Sequence, residues 1–234
     1  MQRAEQPDAR AFFGSERAAA FDAFVLYDMP GIAFQQGGGA RFEDPPESHR
    51  EAFLALLEAG HGFVFLHHAI AGWPAWDEYA EILGGRFLYA PGELRGRTWP
   101  DSGYQLNVRH RVTTVADHPV LEGVQDGFEI EDELYLCPIF EDDVNPLLRS
   151  DARFEDDAFH SAALAIRGKM FSREGWSHPP GSSLVGWWKR WGRSPIVYLA
   201  LGDGPSAYAH PMFRRLVGNA IRWVAEEARL NLPA

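Results

Sequence analysis

The chain has 234 residues and only one cysteine, Cys137. An intrachain disulfide is therefore excluded, and so is a structural zinc site built from several thiolates. A reducing, cytoplasmic setting is expected. Positive charge is also scarce: 22 Lys and Arg stand against 33 Asp and Glu, a formal net charge of −11. Nucleic-acid binders carry a basic footprint and anionic membranes attract basic segments, so neither partner is expected. No apolar run approaches the roughly 20 residues that span a bilayer. The start, MQRAEQPDARAFF, lacks the apolar core of a secretory signal. Several catalytic signatures are missing as well. There is no GxSxG elbow, no Walker A loop, no GxGxxG after a strand and no HExxH helix.

What the chain does hold is tryptophan and histidine, eight and nine of them. It also holds a regular alternation of elements. Ala23 to Tyr27 is a short apolar run closed by Asp28-Met29-Pro30-Gly31, the pattern of a buried strand. Gly31 to Phe42, with three consecutive glycines, reads as a loop. Asp44-Pro45-Pro46-Glu47 starts a helix that Gly60 stops. Gly62 to Leu66 is a second buried strand, followed at once by His67-His68 and a helix from about Pro74 to Leu83. Strand, helix, strand, helix predicts a parallel α/β sheet with helices on its faces, in one domain over 1–234.

Beyond Tyr104 the pattern loosens. Leu106 to Val115 alternates imperfectly, Phe128-Glu129-Ile130 is a short strand, and the acidic stretch from Glu141 to Asp157 reads as a solvated loop. Leu184 to Trp188 and Pro195 to Leu201 read as strands joined by a turn at Arg190–Arg193. A last helix from Pro211 to about Ala228 buries Phe213, Leu216, Val217, Ala220, Ile221 and Val224.

Ligands of parallel sheets bind at the carboxyl ends of the strands. Two such ends are identifiable, at Asp28 and at His67-His68. An imidazole on a strand-to-helix turn can act as acid, base or metal ligand. Trp73 and Trp76 follow at helical spacing; they fit a core stripe or a stacking face for a sugar ring. Asp132, Glu133 and Tyr135 follow the Phe128 strand, His118 follows the alternating segment, and Asp203 ends the Pro195 strand. Cys137 has apolar neighbours and reads as a small buried hydrophobe.

These residues carry a family resemblance. Gly62-Phe63-Val64-Phe65-Leu66-His67-His68-Ala69, then Trp73-Pro74-Ala75-Trp76 with Tyr79, then Leu83-Gly84-Gly85-Arg86-Phe87, resembles the core motif of the ThuA-like (trehalose utilisation) family. His118-Pro119-Val120 with Gly123, Asp132-Glu133-Leu134-Tyr135, and the helix from Phe213 to Trp223 resemble its later motifs in order. The resemblance runs from about Phe21 to Ala228. It implies a flavodoxin-like three-layer α/β/α fold with a mostly parallel sheet, of the class I glutamine amidotransferase type. Amidotransferases carry a cysteine at the elbow where this chain has His67 and His68, so glutamine hydrolysis is not expected. Family members are associated with trehalose and related disaccharides, often through keto-sugars.

Two departures stand out. A Gly-His pair common in the family is Gly202-Asp203 here. The family fold also begins with a strand and helix for which this chain offers only about twenty residues ahead of Ala23; a truncated start is expected, with an open groove or apolar edge where a strand belongs.

The resulting expectation is an enzyme acting on a sugar or keto-sugar. His67, His68, Asp132 and Glu133 are its catalytic candidates. Asp28, Trp73, Trp76, His118, Tyr135 and Asp203 are the candidates for binding. A non-catalytic sugar-binding module is the second reading. A hydrolase with a divalent metal on the two histidines and a carboxylate is the third. No cofactor is fixed by the sequence, and a homo-oligomer is compatible with it.

Overall fold

A computed structural model describes residues 1–6 and 8–231. The chain forms a mixed α/β fold around one large sheet. In chain order its elements are helix α1 (Asp8–Phe13), strands β1 (Ala23–Leu26), β2 (Ile32–Phe34) and β3 (Ala40–Phe42), helix α2 (Glu47–Ala59), strand β4 (Gly62–Leu66) and helix α3 (Asp77–Leu83). There follow β5 (Gly92–Leu94), β6 (Arg97–Trp99), β7 (Gly103–Thr114), β8 (Phe128–Leu136), β9 (Asn145–Ser150), β10 (His160–Ser161) and α4 (Ala162–Ile166). The chain closes with β11 (Leu184–Trp191), β12 (Ser194–Leu199), α5 (Pro205–Ala209) and α6 (Pro211–Asn231). No helix among the described residues is long and apolar enough to cross a membrane.

The sheet runs β1-β4-β12-β11-β9-β7-β10, with β8 on β7. β1 and β12 pair with β4 in parallel. Every other pairing in it is antiparallel. The expected mostly parallel sheet is thus parallel only across three strands. Parallel neighbours need a long crossover, and α2 supplies one between β1 and β4. After Gly103 the strands are joined by hairpin turns and loops, which make antiparallel pairs. The tightest is the two-residue turn Gly192-Arg193 between β11 and β12, where Gly192 adopts φ +56°.

β4 and β12 are buried along their whole length. Their alternate residues feed two cores. Phe63 and Phe65 join Phe53, Leu57, Trp76 and Tyr79 from the α2 and α3 side. Val64, Leu66, Val197 and Leu199 join Phe213, Leu216, Ala220 and Val224 of α6. Gly62 lets α6 come close, since a Cβ there would lie 2.5 Å from the carbonyl oxygen of Val224. β1 is the edge: it pairs only with β4, no strand lies beyond it among the described residues, and Val25 is exposed.

Four local expectations change. Gly31 to Phe42 is a hairpin, β2 with β3, whose turn uses the positive φ of Gly37, Gly38 and Gly39. The helix expected from Pro74 starts at Asp77, because the chain first makes a 3₁₀ turn over His67–Ala71 and then puts Trp73 at φ +45°. β8 is three times the expected three residues and contains Asp132 and Glu133. Its inward set is Phe128, Ile130, Asp132, Leu134 and Leu136, a strict period of two that one buried acid disguises. The acidic stretch is not all loop, since β9 runs through it.

Candidate functional site

The cluster begins at the end of β4. His67 has φ +36°, a left-handed backbone that a branchless turn residue would normally take. The neighbouring strand holds it there. Tyr198 Oη donates to the His67 carbonyl oxygen at 2.9 Å, and His67 Nδ1–H donates to the Ala200 carbonyl oxygen at 2.6 Å. That second bond orients the ring and aims Nε2 at Glu133. Nε2 meets Glu133 Oε2 at 2.9 Å. His67 is fully buried and Glu133 nearly so, and the Tyr135 ring stacks on the imidazole at 4.6 Å.

Glu133 arrives from the far end of the sheet. Among the described residues β8 pairs as a strand only with β7, yet its acids touch the ends of β4 and β12. The antiparallel half must therefore curl back over the parallel half. Asp132 fastens the closure. Its carboxylate accepts from Gly202 N at 2.6 Å, Asp203 N at 3.1 Å and Glu133 N at 3.0 Å. Gly202 is required here: its φ is +110°, and a Cβ would press on Phe213 and on Tyr208 Oη at 3.0 Å each.

The Gly202-Asp203 turn then delivers a second carboxylate. Asp203 Oδ1 lies 3.4 Å from His68 Nε2 and 3.8 Å from His67 Nε2. Tyr27, at the end of β1, packs edge-on against His68 at 4.9 Å and donates its hydroxyl to the Asp203 carbonyl oxygen at 2.9 Å. One ligand-type atom from each of His67, His68, Glu133 and Asp203 lies within 4.8 Å of the other three.

The two imidazoles are driven apart in basicity. Burial pulls His67 down, but the Glu133 hydrogen bond and charge, the Ala200 carbonyl and the Asp132 charge outweigh it, so its pKa is raised. Half-buried His68 loses by burial and by the neighbouring charge of His67; Asp203 compensates only partly, and its pKa falls to about 4. At neutral pH His68 is a neutral imidazole, beside a His67 that the Glu133 carboxylate makes more basic. Burial raises Asp132, against the three N–H groups and His67 that hold its charge.

Of the sequence candidates, the structure brings together His67, His68, Asp132, Glu133, Tyr135 and Asp203. Four others lie elsewhere. Trp73 and Trp76 are buried, packed against His49 and Phe53 respectively, so neither offers a ring face to a ligand. His118 sits under α6 on the other face of the sheet, stacked on Trp188 at 5.2 Å and edge-on to Trp223 at 4.6 Å, where its Nδ1 accepts from Val120 N. Asp28 follows β1 and accepts from Gln6 Nε2 at 2.6 Å; it is not among the four clustered groups. Cys137 is buried among apolar side chains, which push its thiol up to about 12. Two contributors went unforeseen, Tyr27 and the Ala200 carbonyl. Tyr27 had a signal, since it ends the first strand. The carbonyl had none, because any residue supplies one.

The family described as ThuA, trehalose utilisation, matches residues 6–224. No curated protein matches the chain. Among solved structures, a ThuA-like protein from Parabacteroides merdae aligns with a TM-score of 0.63 at 16% identity, covering 96% of this chain and 77% of that one. A ThuA-like protein from Bacteroides uniformis aligns at 0.54 and 17% identity, over 96% and 88% of the two chains. A cytoplasmic protein from Salmonella typhimurium aligns at 0.55 and 12% identity, over 94% and 76%. At such identities the likeness is one of fold.

Proposed function

Because this chain belongs to the ThuA (trehalose utilisation) family, we propose that it is an enzyme of carbohydrate metabolism acting on a disaccharide or keto-sugar by proton transfer. The observation that carries this reading is a pair of adjacent imidazoles, 4.6 Å between ring centres, tuned in opposite directions. Titratable neighbours pushed apart in pKa mark an acid and a base. His68, neutral and partly open to solvent, is the proton acceptor. The His67–Glu133 pair is the proton donor, and Tyr135 orients its ring. Asp203 binds a hydroxyl and steadies His68. Asp132 is a positioning residue, since its oxygens are spent on backbone N–H groups.

The test is turnover of oxidised disaccharides by the wild type, Glu133→Gln and His68→Ala. Each variant is expected to lose about 10²–10⁴-fold in kcat, the usual worth of a positioned acid or base. Equal turnover by all three overturns the catalytic assignment. Tight binding without turnover by the wild type returns the protein to a sugar-binding module.

A second reading rests on the same four groups as a metal site. The donors fit one. His67 Nδ1–H is committed to the Ala200 carbonyl oxygen, so Nε2 would be the ligating atom once the proton it shares with Glu133 is displaced, and His68 is neutral. Two imidazoles with two carboxylates suit a divalent transition ion. Such an ion would supply Lewis acidity, with His67, His68, Glu133 and Asp203 holding it. Elemental analysis of protein purified without a histidine tag decides: a stoichiometric metal favours this reading, and its absence, with no stimulation by added ions, removes it.

A further inference from the structure

The four clustered groups differ in their access to solvent. The His67 side chain is fully buried and that of Glu133 is 9% exposed, whereas those of His68 and Asp203 are 21% and 37% exposed. A ligand therefore approaches the cluster past His68 and Asp203. Two tyrosines stand at that opening. Tyr27 follows β1; its ring lies edge-on to His68 at 4.9 Å, and its hydroxyl donates to the Asp203 carbonyl oxygen. Tyr208 comes from α5. Its ring lies edge-on to Tyr27 at 6.3 Å, and its Oη lies 3.0 Å from where a Cβ on Gly202, the residue before Asp203, would stand.

Both tyrosines are 37% exposed, yet each is held in place. Tyr27 is tied by its hydroxyl to the turn that carries Asp203. Tyr208 packs edge-on at 5.4 Å against Phe213, a fully buried residue of α6. A half-open ring forgoes part of the stabilisation that full burial gives. A ring fixed in advance also loses little side-chain freedom when a ligand covers it. Both properties suit a binding surface, and this one borders the only two groups of the cluster that water reaches readily.

We propose that Tyr27 and Tyr208 form the wall on which the reacting sugar ring rests while His68 and Asp203 engage its hydroxyls. The inference rests on the proposed function, which supplies the sugar and places its reacting carbon at His68. A pyranose has an apolar C–H face and a rim of hydroxyls. A tyrosine has an apolar face and a polar tip, so the pair complements both. The separation of the Tyr27 and His68 rings, 4.9 Å, is about the width of one pyranose. A sugar ring against this wall therefore meets His68 and Asp203 directly, with no buried residue between.

The test measures trehalose binding by calorimetry and turnover of an oxidised disaccharide. Tyr208→Leu keeps an apolar side chain against Phe213 but has no ring face. It is expected to weaken trehalose binding and raise KM about tenfold, the worth of one ring contact, with kcat within about twofold of the wild type. Tyr27→Leu should weaken trehalose binding by a similar factor. Tyr208→Phe keeps the ring and should keep the affinity. A merely structural Tyr208 would instead lower the thermal midpoint in Tyr208→Leu and leave the affinity of the folded protein unchanged. Wild-type affinity in either leucine variant, or an equal loss in Tyr208→Phe, overturns the wall. His68→Ala keeps this inference apart from the catalytic reading. Turnover lost in His68→Ala, with KM unchanged in Tyr208→Leu, upholds the catalytic reading and removes the wall. Trehalose binding without turnover in the wild type, weakened by Tyr208→Leu, upholds the wall and removes the catalytic reading. A wild type that binds neither sugar overturns the wall.

Discussion

The two halves of the sheet are built on different principles. β1, β4 and β12 are parallel, and β4 and β12 are buried along their whole length between α2 and α3 on one face and α6 on the other. β11, β9, β7 and β8 are antiparallel, and β7 is exposed at Leu106, Asn107 and Arg109. The parallel half is a base packed on both faces. The antiparallel half is a long ribbon that bends back over it. Neither half holds the cluster alone. His67, His68 and Asp203 come from the ends of parallel strands, while Asp132, Glu133 and Tyr135 come from β8. The chemistry is assembled where the ribbon closes on the base.

The largest effect should come from the base. Phe65 is fully buried against Phe63 and Tyr79. Phe65→Ala is expected to cost about 3–5 kcal/mol in urea unfolding, as large aromatic truncations in cores do. A loss under about 1 kcal/mol would show that this half is not the tightly packed element. Next comes the clasp. Asp132→Ala removes the acceptor of two N–H groups on the Gly202 turn, and should cost about 3 kcal/mol by stranding them. It should also cut activity, because Asp203 and Glu133 lose their fixed positions. If stability falls and activity does not, the closure is structural only.

The same division explains what was legible in the sequence. β1, α2, β4 and α6 could be read because each has a single period and clear stops, such as Gly60 in the left-handed conformation after α2. His67-His68 was readable as a strand end. The turn Gly202-Asp203 was readable too, since β12 precedes it. The curl of β8 was not. Its inward Asp132 breaks the apolar alternation, and the acid is buried only because a distant turn supplies N–H partners. No local pattern announces a partner 70 residues away. Trp73 and Trp76 misled for a related reason. Their spacing is helical, but Pro74 and the positive φ at Trp73 delay the helix, and both rings turn into the core.

A smaller effect separates the halves by pH. His110 on β7 is buried, with Nδ1 on Ser150 Oγ at 2.8 Å. Burial lowers its pKa to about 4, against the weak opposing charge of Asp151. The folded form therefore prefers the neutral ring. Its contribution is fully present above the unfolded pKa near 6.5 and is lost as pH falls towards 4. Between those values the protein should lose on the order of 2 kcal/mol from this residue. His110→Asn should flatten that slope in a series of denaturant melts. An unchanged slope would place the acid sensitivity in another group.

The smallest expected effect tests whether the ribbon depends on its outer face. Arg109 points to solvent in the middle of β7, opposite Glu131 on β8. An exposed cross-strand charge pair contributes little, because water screens it and two long side chains must be held still. Arg109→Ala should change stability by less than about 0.5 kcal/mol and leave turnover untouched. If instead it weakens turnover, the two halves are coupled through the twist of the β7–β8 ribbon, since Arg109 lies on the exposed face and Glu131 is the acid across from it. A double-mutant cycle with Glu131→Ala then distinguishes a direct charge pair, which gives a coupling energy, from a change in ribbon twist, which gives additive losses.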